Sequence, residues 1–198
     1  MAKWMSGDWR PSMRRVNVIG SSCAGKSTFA RRLARALAVP HVELDHLHWE
    51  PGWVEVSTEA FLKRVAVATQ GEGWVVDGNY SVSREVFWPR VDTVVWLDYS
   101  FPRVLWRSLT RTWKRIVKGE TCCNGNRESM WRTFSRDSIV LWVIQTHGRR
   151  RWEFRETLPA LAARGVDVIV LRTVTEAERW LDEVARRHVA GGEAVKAR

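Results

Sequence analysis

Cysteine is scarce in this chain. There are three among 198 residues, Cys23, Cys122 and Cys123. An odd number that includes an adjacent pair argues against a secreted disulfide framework. No second cysteine pair exists to complete a four-ligand zinc site. Reduced thiols in a reducing compartment fit this pattern, so the expected location is cytoplasmic. Long apolar runs are missing too. The longest, Ile139–Ile144, spans six residues, against the roughly 18 that a bilayer-crossing helix needs. The segment Met1–Arg15 has no stretch like a secretory signal, and no membrane association is expected. Neither a repeat nor a low-complexity linker divides the chain. One domain is expected over residues 14–189, with an N-terminal extension at 1–13 and a flexible tail at 190–198.

Acidic residues are also in short supply, 22 against 32 Lys and Arg, for a net charge of +10. The excess is local. Between Tyr99 and Arg155 there are 13 basic and 4 acidic residues, so +9 sits in about a quarter of the chain. A patch of this kind meets phosphates, whether on nucleotides, nucleic acid or a membrane. Arginine supplies 26 of the 32 cations, and its planar fork suits bidentate phosphate binding. A codon bias toward arginine would give the same count. Thirteen tryptophans are spread along the chain. Most are expected in the core or half-buried.

Strand-like and helix-like segments alternate. Arg15–Gly20 (RVNVIG) is a β-branched run ending in glycine. From Lys26 to Leu37 the residues Phe29, Leu33 and Leu37 form a helical stripe, and Pro40 closes the segment. His41–Leu44 reads as a second strand. Ser57 caps a helix running to about Gln70, with Phe61, Leu62 and Val65 inward. Gly73–Asp77 and Thr93–Asp98 are apolar throughout, as buried parallel strands are. A helix from about Pro102 to Val117 has Leu105, Leu109, Trp113 and Ile116 on its expected inner face and Arg107, Arg111, Lys114 and Lys118 opposite. Glu120–Arg127 reads as a loop, and Ser129–Thr146 and Arg151–Ala163 read as two helices. Val166–Leu171 is the last strand and Thr175–His188 the last helix. Such alternation predicts a parallel sheet with helices on both faces.

One motif carries the chemistry. Gly20-Ser21-Ser22-Cys23-Ala24-Gly25-Lys26-Ser27 fits G-x-x-x-x-G-K-[ST] at every fixed position, between a strand and an amphipathic helix. Gly20 and Gly25 let the loop curl so that backbone N–H groups surround phosphate oxygens. Lys26 is expected to bridge the β- and γ-phosphates, Ser27 to ligate Mg²⁺, and Thr28 to add a hydroxyl near the α-phosphate. A glycine-rich turn without a ligand is the plain alternative.

Three acids end strands on the edge where open α/β sheets bind ligands. Asp77 follows Trp74-Val75-Val76, a hydrophobic strand ending in an Mg²⁺-holding carboxylate. Asp45 follows Val42-Glu43-Leu44, placed to contact an acceptor or take its proton. Asp98 follows Trp96-Leu97. Each also fits an ordinary turn or cap residue. His46 and His48 beside Asp45 match no standard metal spacing and read as surface or packing residues.

These residues resemble the adenylate-kinase-like P-loop kinases, and most closely the bacterial group of topology modulation proteins, "adenylate kinase and related kinases". The likeness runs from about Val16 to Trp180. It rests on Gly20–Thr28, on Leu44-Asp45-His46-Leu47-His48-Trp49-Glu50-Pro51-Gly52-Trp53 and on Trp74-Val75-Val76-Asp77-Gly78-Asn79-Tyr80. Leu97-Asp98 and Gly148-Arg149-Arg150-Arg151, each before an Arg-rich helix, extend it. It implies a P-loop three-layer sandwich whose five-stranded parallel sheet has the order 2-3-1-4-5, with ATP and Mg²⁺ as cofactors. It also implies an Arg-rich lid over about residues 107–151. Arg107, Arg111 and Arg115 would start the lid segment and Arg149, Arg150 and Arg151 would end it, with Arg111 and Arg150 the catalytic candidates. Where adenylate kinases have Asp-Gly-Phe-Pro-Arg, this chain has Asp77-Gly78-Asn79-Tyr80-Ser81, so the arginine for an AMP phosphate is missing there. Arg84 is the nearby substitute. Trp49, Trp53 and Tyr80, with Asp45 and Arg84, would line the acceptor pocket.

The expected function is an ATP-dependent phosphotransferase acting on a small-molecule acceptor that includes nucleotides among its candidates, as a monomer or dimer. The alternative is a nucleotide-sensing, nucleic-acid-binding or regulatory protein, supported by the +9 segment. Against it, the chain has no helix-turn-helix, zinc-finger or RNA-recognition signature.

Overall fold

The β-branched run Arg15–Gly20 forms β1, buried along nearly its whole length. The computed structural model describes residues 13–118, 124 and 139–196, with side chains at 13–114, 124 and 140–188. After β1 come α1 (Lys26–Ala36), β2 (His41–Glu43), α2 (Leu44–His48), β3 (Trp49–Glu50), β4 (Val54–Glu55) and α3 (Thr58–Ala68). Then follow β5 (Trp74–Asp77), α4 (Arg84–Phe87), β6 (Thr93–Leu97), α5 (Phe101–Lys118), α6 (Ile139–Ala163), β7 (Asp167–Leu171) and α7 (Val174–Lys196).

The main sheet is five-stranded and parallel in the order β2-β5-β1-β6-β7. Counting its own strands along the chain, this is the expected 2-3-1-4-5. Because strand side chains alternate, the sheet divides the core in two. Val16, Val18, Val75, Val95 and Leu97 pack under α1 and α7, against Phe29, Leu33, Leu37 and Leu181. Trp74, Val76, Val94 and Trp96 face the other way, against Phe61, Val65, Phe87, Phe154 and Leu158. Asn17 is the polar exception inside β1. It is satisfied by donating to the Val76 carbonyl (3.2 Å) and accepting from Trp88 Nε1 (3.0 Å).

Ser57 caps α3 as expected, accepting from the Ala60 N–H at 3.2 Å. Other expectations are corrected. Leu44 starts α2 rather than ending β2, which puts Asp45 in the first turn of a short helix. The segment that read as two helices is, from Ile139 onward, one continuous helix through Gly148 to Ala163. Gly148 lowers helix propensity, but packing of Val143 into one core and Phe154 into the other holds the helix across the sheet's edge. The expected tail is helical to Lys196. The expected loop Glu120–Arg127, apart from Asn124, lies outside the described residues, as do residues 129–138 and the side chains of Arg115 and Ile116.

The largest correction concerns α5. Among its described residues the buried side chains are Val104, Ser108 and Thr112, while Trp106 is 68%, Leu109 47% and Trp113 70% exposed. Leu105 is half-buried. The apolar stripe was right as a periodicity and wrong as to which way it faces. The helix turns Arg107 toward the loop between β1 and α1, and that rotation carries Trp106 and Trp113 outward. Of the ten tryptophans with described side chains, Trp106, Trp113, Trp142 and Trp152 are exposed, and all four lie on α5 and α6.

Gly20 is where the sheet becomes the loop. Its φ is +147°, and a methyl group there would lie 2.7 Å from the Leu97 carbonyl oxygen on the paired strand. Gly20→Ala is therefore expected to destabilise the fold by roughly 1–3 kcal/mol, read by urea denaturation. Wild-type stability would contradict this description of the β1–β6 junction.

Candidate active site

The loop Ser21–Gly25 curls over the C-terminal end of β1. Ala24 N–H donates to the Ser21 carbonyl at 3.1 Å. Cys23 and Gly25 take left-handed conformations, with φ of 62° and 94°. Cys23 is buried. Helix α1 then begins with no side-chain cap and no acid in its first turn. Its leading N–H groups have no partner within the helix and its dipole is positive there, so the residues present fit an anion at this position. Ser21 and Ser22 lie in the loop and Ser27 and Thr28 in the first turn of α1.

Lys26 folds back into the loop, where Nζ donates to the Ser21 carbonyl at 3.1 Å. Burial holds its pKa below the usual lysine value, and the nearby Arg150 adds slightly to that. The Asp45 and Asp77 carboxylates oppose the shift. Arg107 rests directly on the loop, since a methyl group at Gly25 would lie 2.6 Å from Arg107 Nη2. A cleft beside it, lined by Thr28, Phe29, Tyr99, Arg107, Val174 and Ala177, opens between the starts of α1 and α7. Arg111 stands one turn further along α5, half-buried.

Every residue of the Asp77-Gly78-Asn79-Tyr80 run has a visible task. Asp77 is buried, with Oδ2 3.3 Å from His41 Nε2. A carboxylate here and the Ser27 hydroxyl are the hard oxygen donors that suit Mg²⁺. Gly78 has φ of +133°, and a methyl group would come 2.8 Å from Leu44 Cβ, so the turn closes against α2 only without a side chain. Asn79 binds both backbone groups of Gly20. Its Nδ2 donates to the Gly20 carbonyl at 2.5 Å, and Gly20 N–H donates to its Oδ1 at 3.4 Å. Tyr80 donates its hydroxyl to Asp45 Oδ1 at 2.8 Å.

Around Tyr80 lies an aromatic cluster. Its ring is 4.6 Å from His48 and 5.1 Å from Phe61. Trp49 and Trp53 meet edge to face at 5.6 Å across the β3–β4 ribbon. The turn between those strands holds Gly52 and Trp53 at φ of 81° and 61°. His48 joins the two groups, 5.0 Å from Trp49. Asn124 donates to the His46 carbonyl at 2.9 Å and also to that of Trp49, so one residue between α5 and α6 touches this side of the site. Among the described residues no group of three metal-ligating side chains occurs.

The three consecutive arginines of α6 diverge. Arg149 is exposed. Arg150 donates to the Asn79 carbonyl at 3.0 Å. Arg151 forms a bidentate pair with Asp98, at 2.5 and 2.9 Å, which assigns Asp98 to tying α6 to β6. Arg84 pairs with Glu153 at 2.7 Å and stacks 4.7 Å from the Trp88 ring. Asp45, Asp77, Lys26, Tyr80 and Arg150 are thus gathered at one edge, as expected, with Trp49 and Trp53 beside them. Sequence reasoning missed Asn79, His41 and Glu153. For Asn79 a signal existed, since it stands where the adenylate-kinase pattern Asp-Gly-Phe-Pro-Arg has phenylalanine.

No family model and no curated protein matches the sequence. Among solved structures the fold is similar to shikimate kinase from Bacteroides thetaiotaomicron, with TM-score 0.50 and 15% identity over 87% of this chain and 97% of that one. It is similar also to a gluconokinase from Sinorhizobium meliloti, with TM-score 0.51 and 17% identity over 90% of this chain and 97% of that one. At such identity the likeness shows the fold alone, an α/β fold around a five-stranded parallel sheet. Asn79→Ala is expected to lower stability by about 1–2 kcal/mol and to speed hydrogen exchange of the loop amides from Gly20 to Gly25. Unchanged exchange in that loop would rule out the Asn79–Gly20 pairing as its anchor.

Proposed function

We propose that this chain is an ATP-dependent phosphotransferase that moves the γ-phosphoryl group to a hydroxyl of a small-molecule acceptor. One observation carries the reading. An uncapped helix N-terminus and an inward-turned lysine face Asp77 at the end of β5 and Asp45 in the first turn of α2, so an anion site and a hydroxyl-orienting group share one mouth. Loop N–H groups and Lys26 would hold the triphosphate, with Arg107 over Gly25 closing the far side. Ser27 and Asp77 would hold Mg²⁺, which neutralises phosphate charge when bound. Asp45, oriented by the Tyr80 hydroxyl, accepts the proton of the attacking hydroxyl. The new bond forms between that oxygen and the γ-phosphorus as the bond to the β–γ bridging oxygen breaks, and ADP leaves. Arg111 from α5 would meet charge on the transferring group, while Arg150, on the Asn79 carbonyl, would serve the acceptor side. Positioning and charge stabilisation are what this reaction asks of a protein.

The names of the two similar structures, both small-molecule kinases, favour the same class. The basic excess is in part accounted for by Arg107, Arg150 and Arg151 turning inward, which favours phosphate chemistry over a nucleic-acid face. No helix among the described residues is long and apolar enough to cross a membrane.

Lys26→Met is expected to abolish ADP production from Mg–ATP, and residual turnover within about tenfold of wild type, under 1.4 kcal/mol, would contradict the role given to Lys26. The same variant separates chemistry from folding. With its folded pKa below 10.5, Lys26 binds fewer protons in the native state, so its cost to stability is full below the folded value and fades as pH rises from there toward the unfolded value. Without ligand, Lys26→Met should therefore melt at or above the wild-type temperature at pH about 7. A lower melting temperature would show that the lysine stabilises the empty loop.

A further inference from the structure

Two guanidinium groups meet on the acceptor side, and neither is fully satisfied. Helix α6 presents Arg150 and Glu153 one turn apart, and Arg84 of α4 reaches Glu153 from below. Glu153 takes only Nη1 of Arg84. Arg84 Nη2 and Arg150 Nε are buried nitrogens with no hydrogen-bond partner among the described residues. Trp88 and Phe154 hold the Arg84 plane in place, at 4.7 and 5.6 Å from Cζ. Burial and the neighbouring cations Arg84 and Arg149 weaken the hold of Arg150 on its proton, while Glu153 opposes this. Buried, unpaired donors on like-charged groups call for an anion.

The position is informative. Arg150 sits on the Asn79 carbonyl, and the next residue, Tyr80, carries the hydroxyl that orients Asp45. The charge count is informative too. Two guanidiniums and one carboxylate leave a single positive charge, because Arg149 is exposed to solvent. A monoanion completes that balance. A phosphate dianion would set excess negative charge against Glu153.

We propose that the acceptor is a hydroxy acid whose carboxylate is taken by Arg84 and Arg150 while its hydroxyl is presented to Asp45. This rests on the phosphotransferase reading for the hydroxyl, but the carboxylate site stands on its own geometry. It also distinguishes this chain from kinases whose acceptor is a nucleoside monophosphate.

The test uses the full chain and three small probes, glycolate, its neutral amide glycolamide, and inorganic phosphate at about pH 8, where phosphate is mostly dianionic. Binding is read from the NMR signals of the Arg84 and Arg150 Nε–H groups, assigned with Arg84→Lys and Arg150→Lys. Glycolate should shift both signals and bind at least about tenfold more tightly than either other probe, a difference of about 1.4 kcal/mol. Glu153→Gln removes the balancing carboxylate without removing a cation, and should reverse the preference toward phosphate. Glycolamide binding as well as glycolate, no shift with glycolate, or a wild-type preference for phosphate would each overturn the proposal. Mg²⁺ with a non-hydrolysable ATP analogue is titrated separately by calorimetry. Failure there would sink the kinase reading and leave the carboxylate site standing.

Discussion

The C-terminal edge of the sheet is organised by the pairing of Asn79 with both backbone groups of Gly20. Gly20 ends β1 and begins the loop, and Asn79 follows β5, so one amide side chain ties the loop's first residue to the neighbouring strand. The Asn79 carbonyl then receives Arg150 from α6. Gly78 lets the same turn close on Leu44, which fixes α2 and with it Asp45. The glycine-rich loop, α2 with Asp45, and the helix bearing the arginines thus share one four-residue turn. A hydrogen-bonded network of this kind holds side chains more tightly than its separate bonds would.

Charge is apportioned with similar economy. Arg151 is neutralised by Asp98 and fastens α6 to β6. Arg84 is half-neutralised by Glu153, and Arg150 has no carboxylate of its own among the described contacts. Lys26 is buried enough to resist its own charge, with Asp45 and Asp77 close by. Groups held this way gain most when an anion arrives, since each then exchanges a costly burial for a paired one.

Local structure was legible in the sequence wherever a short-range rule governed it. The strand-loop-helix from Arg15 to Ala36, the Ser57 cap and the apolar strands β5 and β6 follow from glycine placement, side-chain capping and hydrophobic content, and the resemblance to P-loop kinases supplied the strand order. What failed was orientation set by distant partners. The stripe Leu105, Leu109 and Trp113 reads as an inner face because periodicity reports amphipathicity and not which side meets the core. Arg107 on Gly25 decided that. The split at Gly148 failed likewise, since two separate cores hold α6 straight through a poor helix former. For the site, Asp45, Asp77, Lys26 and Tyr80 came together as their motifs implied. The destinations of Arg84, Arg150 and Arg151 could not be read, because three adjacent arginines diverge only once the helix is placed.

The most direct test of the central claim is phosphorus NMR of the wild-type chain with Mg–ATP and a panel of hydroxy acids and nucleoside monophosphates. A new phosphate-ester resonance growing in step with ADP is the expected result. ADP formed together with inorganic phosphate alone, whatever acceptor is present, would contradict phosphotransfer and leave an ATP-hydrolysing or nucleotide-sensing protein in its place.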